Sequence, residues 1–429
     1  SYIHLCIIFS ILFINQDSKI SKSLKTKRTI IMKKLFILLA ILVAQVSTAQ
    51  NYVHQVLVLN EGYFDYTINQ SVVPPTIGSY DPVTQIYTTV DTIDGARFAS
   101  DMVIEGEYIY VAADNYIYKY NKNDYSLISS QHVTGIRNIV VWNDKIIVTR
   151  GDYDNVTFSP ILFNSYLQVF NASDLSFYME IDTTIGPKWA TQNLVVDGNM
   201  LYIAINNGFE WGNEKGLVGI VDMNNMTYLN EIDLGPDGTN PDNMVFDGTY
   251  IYTVNNKDFS GSSISKIDIS NGTSMTTNML TMNTGCGTSC LRDGKINYQI
   301  SGDTELYEWD PQFMAPAGLS MGFSQNFYEL ATDKVNHYLY ATSTDWFSYG
   351  MVYVYDSNNT PITSFSCGIS PGTIVFDIRS ITVGISEITS TDILKGTIYD
   401  IFGKKLESLE NQPTGIYLVN GKKLYITKK

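Results

Sequence analysis

A short segment recurs seven times along the chain, with a polar residue at its start, mainly apolar residues after it and usually an acid at its end. The copies begin at Asp101, Asn138, Asn193, Asn243, Ser289, Glu329 and Thr373. Successive copies are 37 to 55 residues apart. A repeat of this length that carries several short strands is typical of sheets arranged around a centre.

Most copies lead through a tight turn into a second strand rich in Tyr and Ile. Asp247-Gly248, for example, precedes Tyr250-Ile-Tyr-Thr. Asp-Gly between alternating apolar runs favours a hairpin, because Gly accepts the positive φ of turns that match the strand twist. Each full unit is interpreted as four strands, which in the fourth unit are Asn193–Val196, Met200–Ile205, Leu217–Asp222 and Tyr228–Ile232.

The first and last units are incomplete in complementary ways. The first begins with Val56-Leu-Val-Leu, a second-strand sequence, and the seventh opening strand, Thr373-Ile-Val-Phe-Asp, stands alone. We expect this last strand to join the first sheet, because closing the ring removes an open edge that favours aggregation. The predicted fold class is all-β, a seven-bladed β-propeller with a small C-terminal β-sandwich-like module; six blades and a stray strand are the alternative count.

The N-terminal segment has the features of an exported protein. Lys33 and Lys34 precede an apolar run from Leu35 to Val46 and the small residues Ser47-Thr48-Ala49, so residues 32–49 are predicted to be a signal peptide. A membrane anchor is the alternative, but the run is far shorter than the ~20 residues that a span needs. No Cys follows for a lipid anchor.

Residues 1–31 are an upstream extension, either a reading frame that was assigned too far upstream or an extended n-region. The remaining predicted boundaries are 50–378 for the propeller and 379–429 for a C-terminal module. Three cysteines follow the signal peptide, namely Cys286, Cys290 and Cys367. We expect a disulfide between the first two or buried free thiols, since no His has zinc-like spacing to them.

The charge distribution excludes some partners and separates the tail. Removal of residues 1–49 takes away seven Lys/Arg and one Asp, which changes the net charge from −15 to −21. Nucleic acid and anionic membrane surfaces are therefore poor partners. The segment 395–429 reverses this sign, with seven Lys and three acids, as expected of a separate module.

The connections between second and third strands are unequal in length. Five are long (60–78, 151–164, 206–216, 255–262 and 343–350), and two are short (113–115 and 301–304). Long loops on one face of a rigid scaffold usually carry function, and aromatic residues in such loops suit flat or ring-shaped ligands. The predicted ligand-binding residues are Tyr63, Phe64, Tyr153, Phe158, Phe209, Trp211, Phe259, Trp346 and Tyr349.

The seven polar residues that start the repeats are expected to surround one mouth of the central channel. They either cap backbone groups where the strands converge or hold a calcium ion, for which Asp, Glu and Asn supply oxygen ligands. No catalytic residue, metal ligand or cofactor is assigned from the sequence. It contains no Gly-x-Ser-x-Gly, His-Glu-x-x-His, phosphate-loop or dinucleotide motif.

Two resemblances to known families follow from these residues. Segment 52–378 resembles bacterial surface propellers with YVTN-type (YncE-like) repeats, through units such as Asn243-Met-Val-Phe-Asp-Gly-Thr-Tyr-Ile-Tyr. This resemblance implies the propeller fold and a cell-surface location. Some relatives in the Bacteroidetes are surface lipoproteins that capture corrinoids, but this chain lacks their lipid-attachment Cys.

Segment 384–429 resembles a type IX secretion sorting domain of the Bacteroidetes. The resemblance is carried by Gly384-Ile-Ser-Glu-Ile, Ile398-Tyr-Asp-Ile-Phe-Gly-Lys-Lys-Leu, Gly415-Ile-Tyr-Leu-Val and Lys423-Leu-Tyr-Ile-Thr-Lys-Lys. It implies that the secretion machinery is a partner, with export across the outer membrane and removal of the tail. The alternative is a small β-appendage packed on the propeller.

The predicted function is therefore a secreted or cell-surface binding propeller without catalysis. Its expected partners are an unknown small molecule, glycan or protein on the long-loop face, and the secretion machinery through the tail. The alternatives are a calcium-dependent hydrolase or lactonase and a corrinoid-capturing propeller.

Overall fold

The computed structural model describes residues 50–257, 261–279, 284, 288–320, 323, 325–381, 397–400, 403–409, 415–419 and 422–426. All regular elements there are β-strands, and none of these residues belongs to a helix that is long and apolar enough to cross a membrane. Residues 52–379 form one compact unit, and the chain on either side of it is assigned to a second.

The large unit contains seven four-stranded antiparallel sheets in its described part. Each sheet follows chain order, except that the first takes its opening strand from the C-terminal end of the unit. In spatial order the strands are β30 (Pro371–Ile381), β1 (Gln50–Asn60), β4 (Thr76–Asp81) and β5 (Ile86–Thr92); β6 (Ala99–Glu105), β7 (Tyr108–Ala113), β8 (Tyr116–Asn121) and β9 (Leu127–His132); β10 (Ile136–Trp142), β11 (Lys145–Arg150), β12 (Ser165–Asn171) and β13 (Phe177–Asp182); β14 (Thr191–Asp197), β15 (Met200–Ile205), β16 (Leu217–Asp222) and β17 (Thr227–Asp233); β18 (Pro241–Phe246), β19 (Tyr250–Asn255), β20 (Ser262–Asp268) and β21 (Thr273–Met279); β22 (Ser289–Arg292), β23 (Lys295–Gln299), β24 (Leu306–Asp310) and β25 (Ala315–Ser320); and β26 (Leu330–Asp333), β27 (Tyr338–Ser343), β28 (Tyr349–Tyr355) and β29 (Pro361–Ile369).

The hydrophobic core is divided into seven clusters, and each lies between two neighbouring sheets. In the first cluster Leu57 and Ile77 of the first sheet pack with Met102 and Ile109 of the second. Five more clusters join each following pair of sheets in turn. The last joins the seventh sheet to the first, so the sheets form a closed cycle. Strand alternation produces this arrangement, because successive apolar side chains face opposite neighbours.

The predicted closure by the C-terminal strand is confirmed, since β30 lies beside β1 in the first sheet. The buried carboxylate of Asp377 links β30 to its neighbours. Asp377 of β30 accepts a hydrogen bond of 3.2 Å from Gln55 of β1, and it forms ion pairs with Lys122 of the second sheet and with Arg379. Burial alone would raise the pKa of Asp377, but these partners hold it below its ordinary value.

The opening strands carry β-bulges at matching places in four consecutive sheets. The register shifts between Ala99 and Asp101, and again at Ile136–Ile139, Thr191–Leu194 and Pro241–Asn243. A bulge sets two residues against one on the partner strand and re-aims side chains. In each sheet it falls where the repeat begins.

A separate small sheet contains the C-terminal strands, in the order β32 (Lys405–Leu406), β31 (Ile398–Asp400), β33 (Gly415–Val419) and β34 (Lys422–Ile426). Three of the segments that carry the resemblance to a sorting domain overlap these strands. The fourth, at 384–388, and the predicted signal peptide at 32–49 lie outside the described residues.

The structure favours buried thiols for two of the three cysteines. Cys290 and Cys367 are free and buried, and burial raises the pKa of the Cys290 thiol to about 11. Both therefore stay protonated and unreactive at neutral pH. Cys286 lies outside the described residues.

The closure predicts different results for two truncations. Deletion from Thr373 onward removes most of β30, which leaves β1 with an unpaired edge and the seventh cluster incomplete, so the melting temperature should fall sharply. Deletion from Gly384 onward keeps β30 and should leave melting unchanged. Thermal unfolding followed by circular dichroism tests both, and equal stability of the two truncated chains would contradict the role given to β30.

Candidate functional site

The links between second and third strands all emerge at one end of the sheets, because neighbouring strands are antiparallel; we call this end the loop face. The link from β1 to β4 folds into a hairpin of β2 (Tyr63–Asp65) and β3 (Gln70–Val73). The link from β11 to β12 spans 151–164, whereas that from β7 to β8 has two residues. The predicted difference in loop length is therefore present.

The structure brings part of the predicted aromatic set together. Tyr66 of the hairpin connects Phe64, at 4.9 Å between ring centroids, to Tyr153, with 2.7 Å between the two hydroxyl oxygens. Tyr153 stacks on Phe158 at 6.1 Å and lies 5.9 Å from Phe209. These five residues, contributed by three loops, are named the aromatic cluster.

A half-buried arginine, Arg97, holds the loop 151–164 in place. Arg97 forms ion pairs with Asp152 at 3.0 Å and with Asp114 at 2.5 Å, and it donates a 2.6 Å hydrogen bond to the Asn155 side chain. The loop 151–164 is thereby attached to the second sheet. Two members of the aromatic cluster, Tyr153 and Phe158, therefore lie on a loop that Arg97 holds in place.

The other predicted residues occupy different positions. Tyr63 packs edge-on against Phe347 at 5.3 Å, and Trp346 packs against Tyr328 at 4.6 Å. Trp211 and Tyr349 are the most exposed of the predicted set, at 84% and 75%. Phe259 lies outside the described residues.

Arg137 of β10 lies between the aromatic cluster and a group of buried carboxyls. Its guanidinium carbon lies 5.1 Å from the ring centre of Phe209 and 5.8 Å from that of Phe98. Its Nε donates a long hydrogen bond, 3.4 Å, to the Gln192 side chain. The positive charge of Arg137 is felt by the carboxyls of three other elements, Glu61, Asp101 and Asp242.

Protein atoms surround these three carboxyl groups and that of Glu329, although each of the four residues remains partly exposed to solvent. Burial raises the pKa of Glu61 to about 7, against the lowering effects of a hydrogen bond from Tyr328 and of Arg137. Burial also raises the pKa of Asp101 and of Asp242 to about 6. Burial and then the charges of Glu61 and Asp101 raise the pKa of Glu329 to about 8. The site therefore exchanges protons near neutral pH.

Several of the residues that start the repeats have the backbone-capping role that was one of the two expectations. Asp101 accepts hydrogen bonds from the backbone of Met102 and, across to the next sheet, of Ile139, both at 2.8 Å. Asn243 donates to the hydroxyl and carbonyl oxygens of Ser289 in the next sheet. The bonds thus join neighbouring opening strands.

Sequence reasoning missed Glu61, Arg137, Asp242 and Tyr328. Except for Glu61, each immediately precedes a repeat start, and at Arg137 and Asp242 a β-bulge brings both members of the polar pair into use. The available signal was a doublet of polar residues that interrupts strand alternation at the same point in six repeats, as in Ser100-Asp101, Arg137-Asn138, Gln192-Asn193, Asp242-Asn243, Thr288-Ser289 and Tyr328-Glu329.

The arrangement offers stacking surfaces, a cation and carboxyls that both donate and accept hydrogen bonds. A cavity of about 280 Å³ also lies at this end, lined by residues that include Asp94, Ala96, Asp114 and Tyr118. In the part of the chain that the structure describes, His, Cys, Asp and Glu do not form a group of three or more placed to hold a metal ion. The geometry suits recognition of a ligand with both flat and polar parts.

Comparison with known proteins shows similarity of fold. No family model matches the chain, and no curated protein does. A hypothetical selenium-binding protein from Sulfolobus tokodaii matches in structure with a TM-score of 0.54 and 11% sequence identity, over 76% of this chain and 92% of that one. KlHsv2 with loop 6CD replaced by a Gly-Ser linker matches at 12% identity over 65% and 89%, with a TM-score of 0.43, too low to support an argument. The chain has a β-propeller-like all-β fold.

The raised carboxyl pKa values predict a stability that falls as pH rises. A glutamate whose pKa is raised by folding binds its proton more tightly in the folded state, so stability is lost between the ordinary pKa of 4.5 and about 8 for Glu329. Glu329→Gln mimics the protonated form and should reduce this decline, as measured by melting temperature across that range. The exposed Glu105→Gln should keep the wild-type slope. Stability that increases from pH 5 to pH 8 would contradict the assignment.

Proposed function

We propose that this protein is an exported, non-catalytic seven-bladed β-propeller that binds a ligand on its loop face. The observation that carries the proposal is the concentration of large apolar side chains that this face leaves exposed. They include Tyr66, Ile68, Val72, Val156, Phe158, Leu162, Trp211, Trp346, Phe347 and Tyr349. Contiguous exposed apolar surface usually marks an interaction site.

The surroundings of this surface favour a ligand with a flat apolar part and polar groups. The aromatic cluster offers ring faces for stacking. Arg137 and the carboxyls with raised pKa values lie beside it, where they can fix the orientation of a ligand through hydrogen bonds. A sugar or a macrocycle, including a corrinoid, combines a flat apolar part with polar groups. A calcium ion bound by the residues that start the repeats is a separate hypothesis.

Export is proposed from the two ends of the chain. Segment 32–49 is expected to direct secretion and be removed, and segment 379–429 is expected to engage type IX machinery at the outer membrane. The mature protein would then be secreted or held at the cell surface. The small sheet of β31 to β34 supports a folded C-terminal module.

A fusion of residues 379–429 to a reporter protein would test whether this segment directs export.

Loop-face aromatics should be needed for binding but not for folding. Phe158→Ala and Trp211→Ala should each weaken ligand binding by on the order of 1–3 kcal/mol if they are contact anchors, with little change in melting temperature because both side chains are largely exposed. Binding is measured by quenching of tryptophan fluorescence with cyanocobalamin and a panel of soluble oligosaccharides as probes.

Phe313→Ala is the matched control, because Phe313 is 72% exposed in the β24–β25 turn at the opposite end of the sheets. It should leave binding unchanged. If all three variants bind the active probe equally, or if none of the probes binds the wild type, the loop face is not a site for these ligand classes.

A hydrolase is the second candidate, favoured by the pKa values of about 7 and 8 for Glu61 and Glu329. Such carboxyls are suited to general acid and base roles at neutral pH. Ester and lactone substrates should then be hydrolysed with a rate that depends on Glu61. Loss of the activity in Glu61→Gln, with retention in Glu105→Gln, would support this function over simple binding; equal rates in both variants would exclude it.

A further inference from the structure

Six large hydrophobic residues in the described part of the chain have a left-handed backbone conformation, with φ between 50° and 72°. They are Tyr125, Phe158, Leu175, Met226, Met314 and Trp346. In this conformation the Cβ atom crowds the following carbonyl oxygen, which destabilises the fold for a bulky residue but not for Gly. The fold therefore has to offset this strain at each of the six positions.

Core packing offsets the strain at four of these positions. Tyr125, Leu175, Met226 and Met314 lie in turns between third and fourth strands, at the end opposite the loop face. Each side chain packs in one of the hydrophobic clusters between the sheets. Burial of these apolar side chains compensates for their backbone conformation.

The remaining two, Phe158 and Trp346, lack this compensation, and we call them the strained aromatics. Neither belongs to any of the seven clusters formed by the described residues. They are 62% and 46% exposed, and both lie on the loop face, in the links of the third and seventh sheets. Backbone strain that packing does not offset is found preferentially at binding and catalytic sites.

The two loops that carry the strained aromatics are built alike around an aspartate. Asp154 accepts hydrogen bonds from the backbone and the hydroxyl of Thr157, at 2.7 and 3.0 Å. Asp345 accepts hydrogen bonds from the backbone and the hydroxyl of Ser348, at 2.7 and 2.8 Å. Each carboxylate fixes a tight turn, so the aromatic residue of that turn is held in its exposed position.

The hairpin of β2 and β3 contacts both loops. Tyr66 lies 6.4 Å from Phe158 between ring centres, and Tyr63 lies 5.3 Å from Phe347, the neighbour of Trp346. The two tyrosines are three residues apart along a strand, which separates them by about 10 Å. A ligand that contacts both strained aromatics therefore extends along the hairpin over more than one six-membered ring.

The aromatic rings along the hairpin do not share a plane. The planes of Tyr66 and Phe158 differ by 49°, and those of Tyr63 and Phe347 by 73°. A rigid flat macrocycle would need ring faces in one plane. Sugar rings joined by glycosidic bonds can turn relative to one another, so a chain of them fits this surface better.

Hydrogen-bond donors without a partner lie beside the hairpin. Tyr328 packs against Trp346 and donates a hydrogen bond to Glu61, whose carboxyl lies in the field of Arg137. The two terminal nitrogens of Arg137 donate to no group in the described part of the chain. They are not among its buried unpaired atoms, so a ligand can reach them.

The charges around Arg137 favour an uncharged ligand that is rich in hydroxyls. An anion would meet the carboxylates of Asp101 and Asp242, which lie in the field of Arg137, and a cation would meet Arg137 itself. Burial raises the pKa of Glu61 to about 7 and that of Glu329 to about 8, so both hold protons near neutral pH. A hydroxyl both donates and accepts hydrogen bonds, so it suits protonated and ionised carboxyls alike.

We propose that Phe158 and Trp346 are ligand contacts of the loop face and that the ligand is a neutral oligosaccharide. The inference rests on the proposed binding function and specifies its ligand class. Each strained aromatic covers the apolar face of one sugar ring. Hydroxyls of the sugar chain accept from Arg137 and bond to the carboxyl of Glu61.

Isothermal titration calorimetry on the full mature chain tests the ligand class. The probes are neutral tetrasaccharides of glucose, xylose, mannose and N-acetylglucosamine. At least one should bind, with an affinity roughly tenfold or more above that of its own monosaccharide, because one ring cannot contact both strained aromatics. A tetramer of galacturonate, which carries a carboxylate on every ring, should bind more weakly than the neutral probe.

Glycine and alanine substitutions separate the binding role of each strained aromatic from its backbone strain. Phe158→Gly and Phe158→Ala both remove the ring, and each should weaken tetrasaccharide binding roughly tenfold or more. Only Gly also removes the Cβ atom, so Phe158→Gly should have the higher melting temperature of the two. Trp346→Gly and Trp346→Ala should behave in the same way.

Gln85 supplies the matched control. It is exposed and has a φ of 58°, in a turn of the first sheet at the end opposite the loop face. Gln85→Gly should therefore melt at a higher temperature than Gln85→Ala, and both should bind the tetrasaccharide as the wild type does.

Three results would overturn the inference: wild-type affinity in the Phe158 and Trp346 variants, equal affinity for the tetrasaccharide and its monosaccharide, or tighter binding of the galacturonate tetramer. If cyanocobalamin binds and no neutral tetrasaccharide does, the loop face is a binding site but the inferred ligand class is wrong. If neither binds, the binding function proposed for these ligand classes is wrong as well.

Discussion

A four-stranded sheet of this protein can bury its two faces only against the sheets on either side of it. This constraint determines which side chains the repeat must carry. Second strands are apolar at almost every position because both of their faces are covered, as for Tyr108–Ala113, where five of six residues are buried. Outer strands alternate, as in Leu127–His132, because they lie at the rim. The strength of the sequence repeat follows from the fact that each sheet meets the same requirement.

The same packing explains why the chemistry gathers where it does. Opening strands pack beside one another, so their polar residues are removed from bulk water. Burial there raises the pKa values of the carboxyl groups. Asp101 uses its carboxylate to bind the backbone of the next strand, while Arg137, one sheet further along, supplies the charge that partly offsets the burial of the neighbouring acids. Structural capping and a proton-exchanging site are therefore built from adjacent residues.

The strand repeat, the joining of the last strand to the first sheet and the unequal loops could all be predicted from the sequence, because each depends on local patterns. The centre of the site could not. Arg137 and Asp242 face it through bulges, and strand alternation assigns such residues to the opposite side. Glu61 comes from the link after β1, and its contact with Tyr328 joins residues 267 apart. No rule of sequence spacing predicts the contact between Glu61 and Tyr328.

The joining of β30 to β1 also has a consequence for how the chain is made. Gln55 and Asp377 are 322 residues apart, whereas the strands within the later sheets are neighbours along the chain. During synthesis the later sheets can form in order as they emerge, but the first must wait, with three strands, until almost all of the large unit exists. Contacts of such long separation form slowly, and an exposed strand edge in the interval invites wrong pairing. Assembly therefore has a fixed final step, and the oldest part of the nascent chain is the last to be finished.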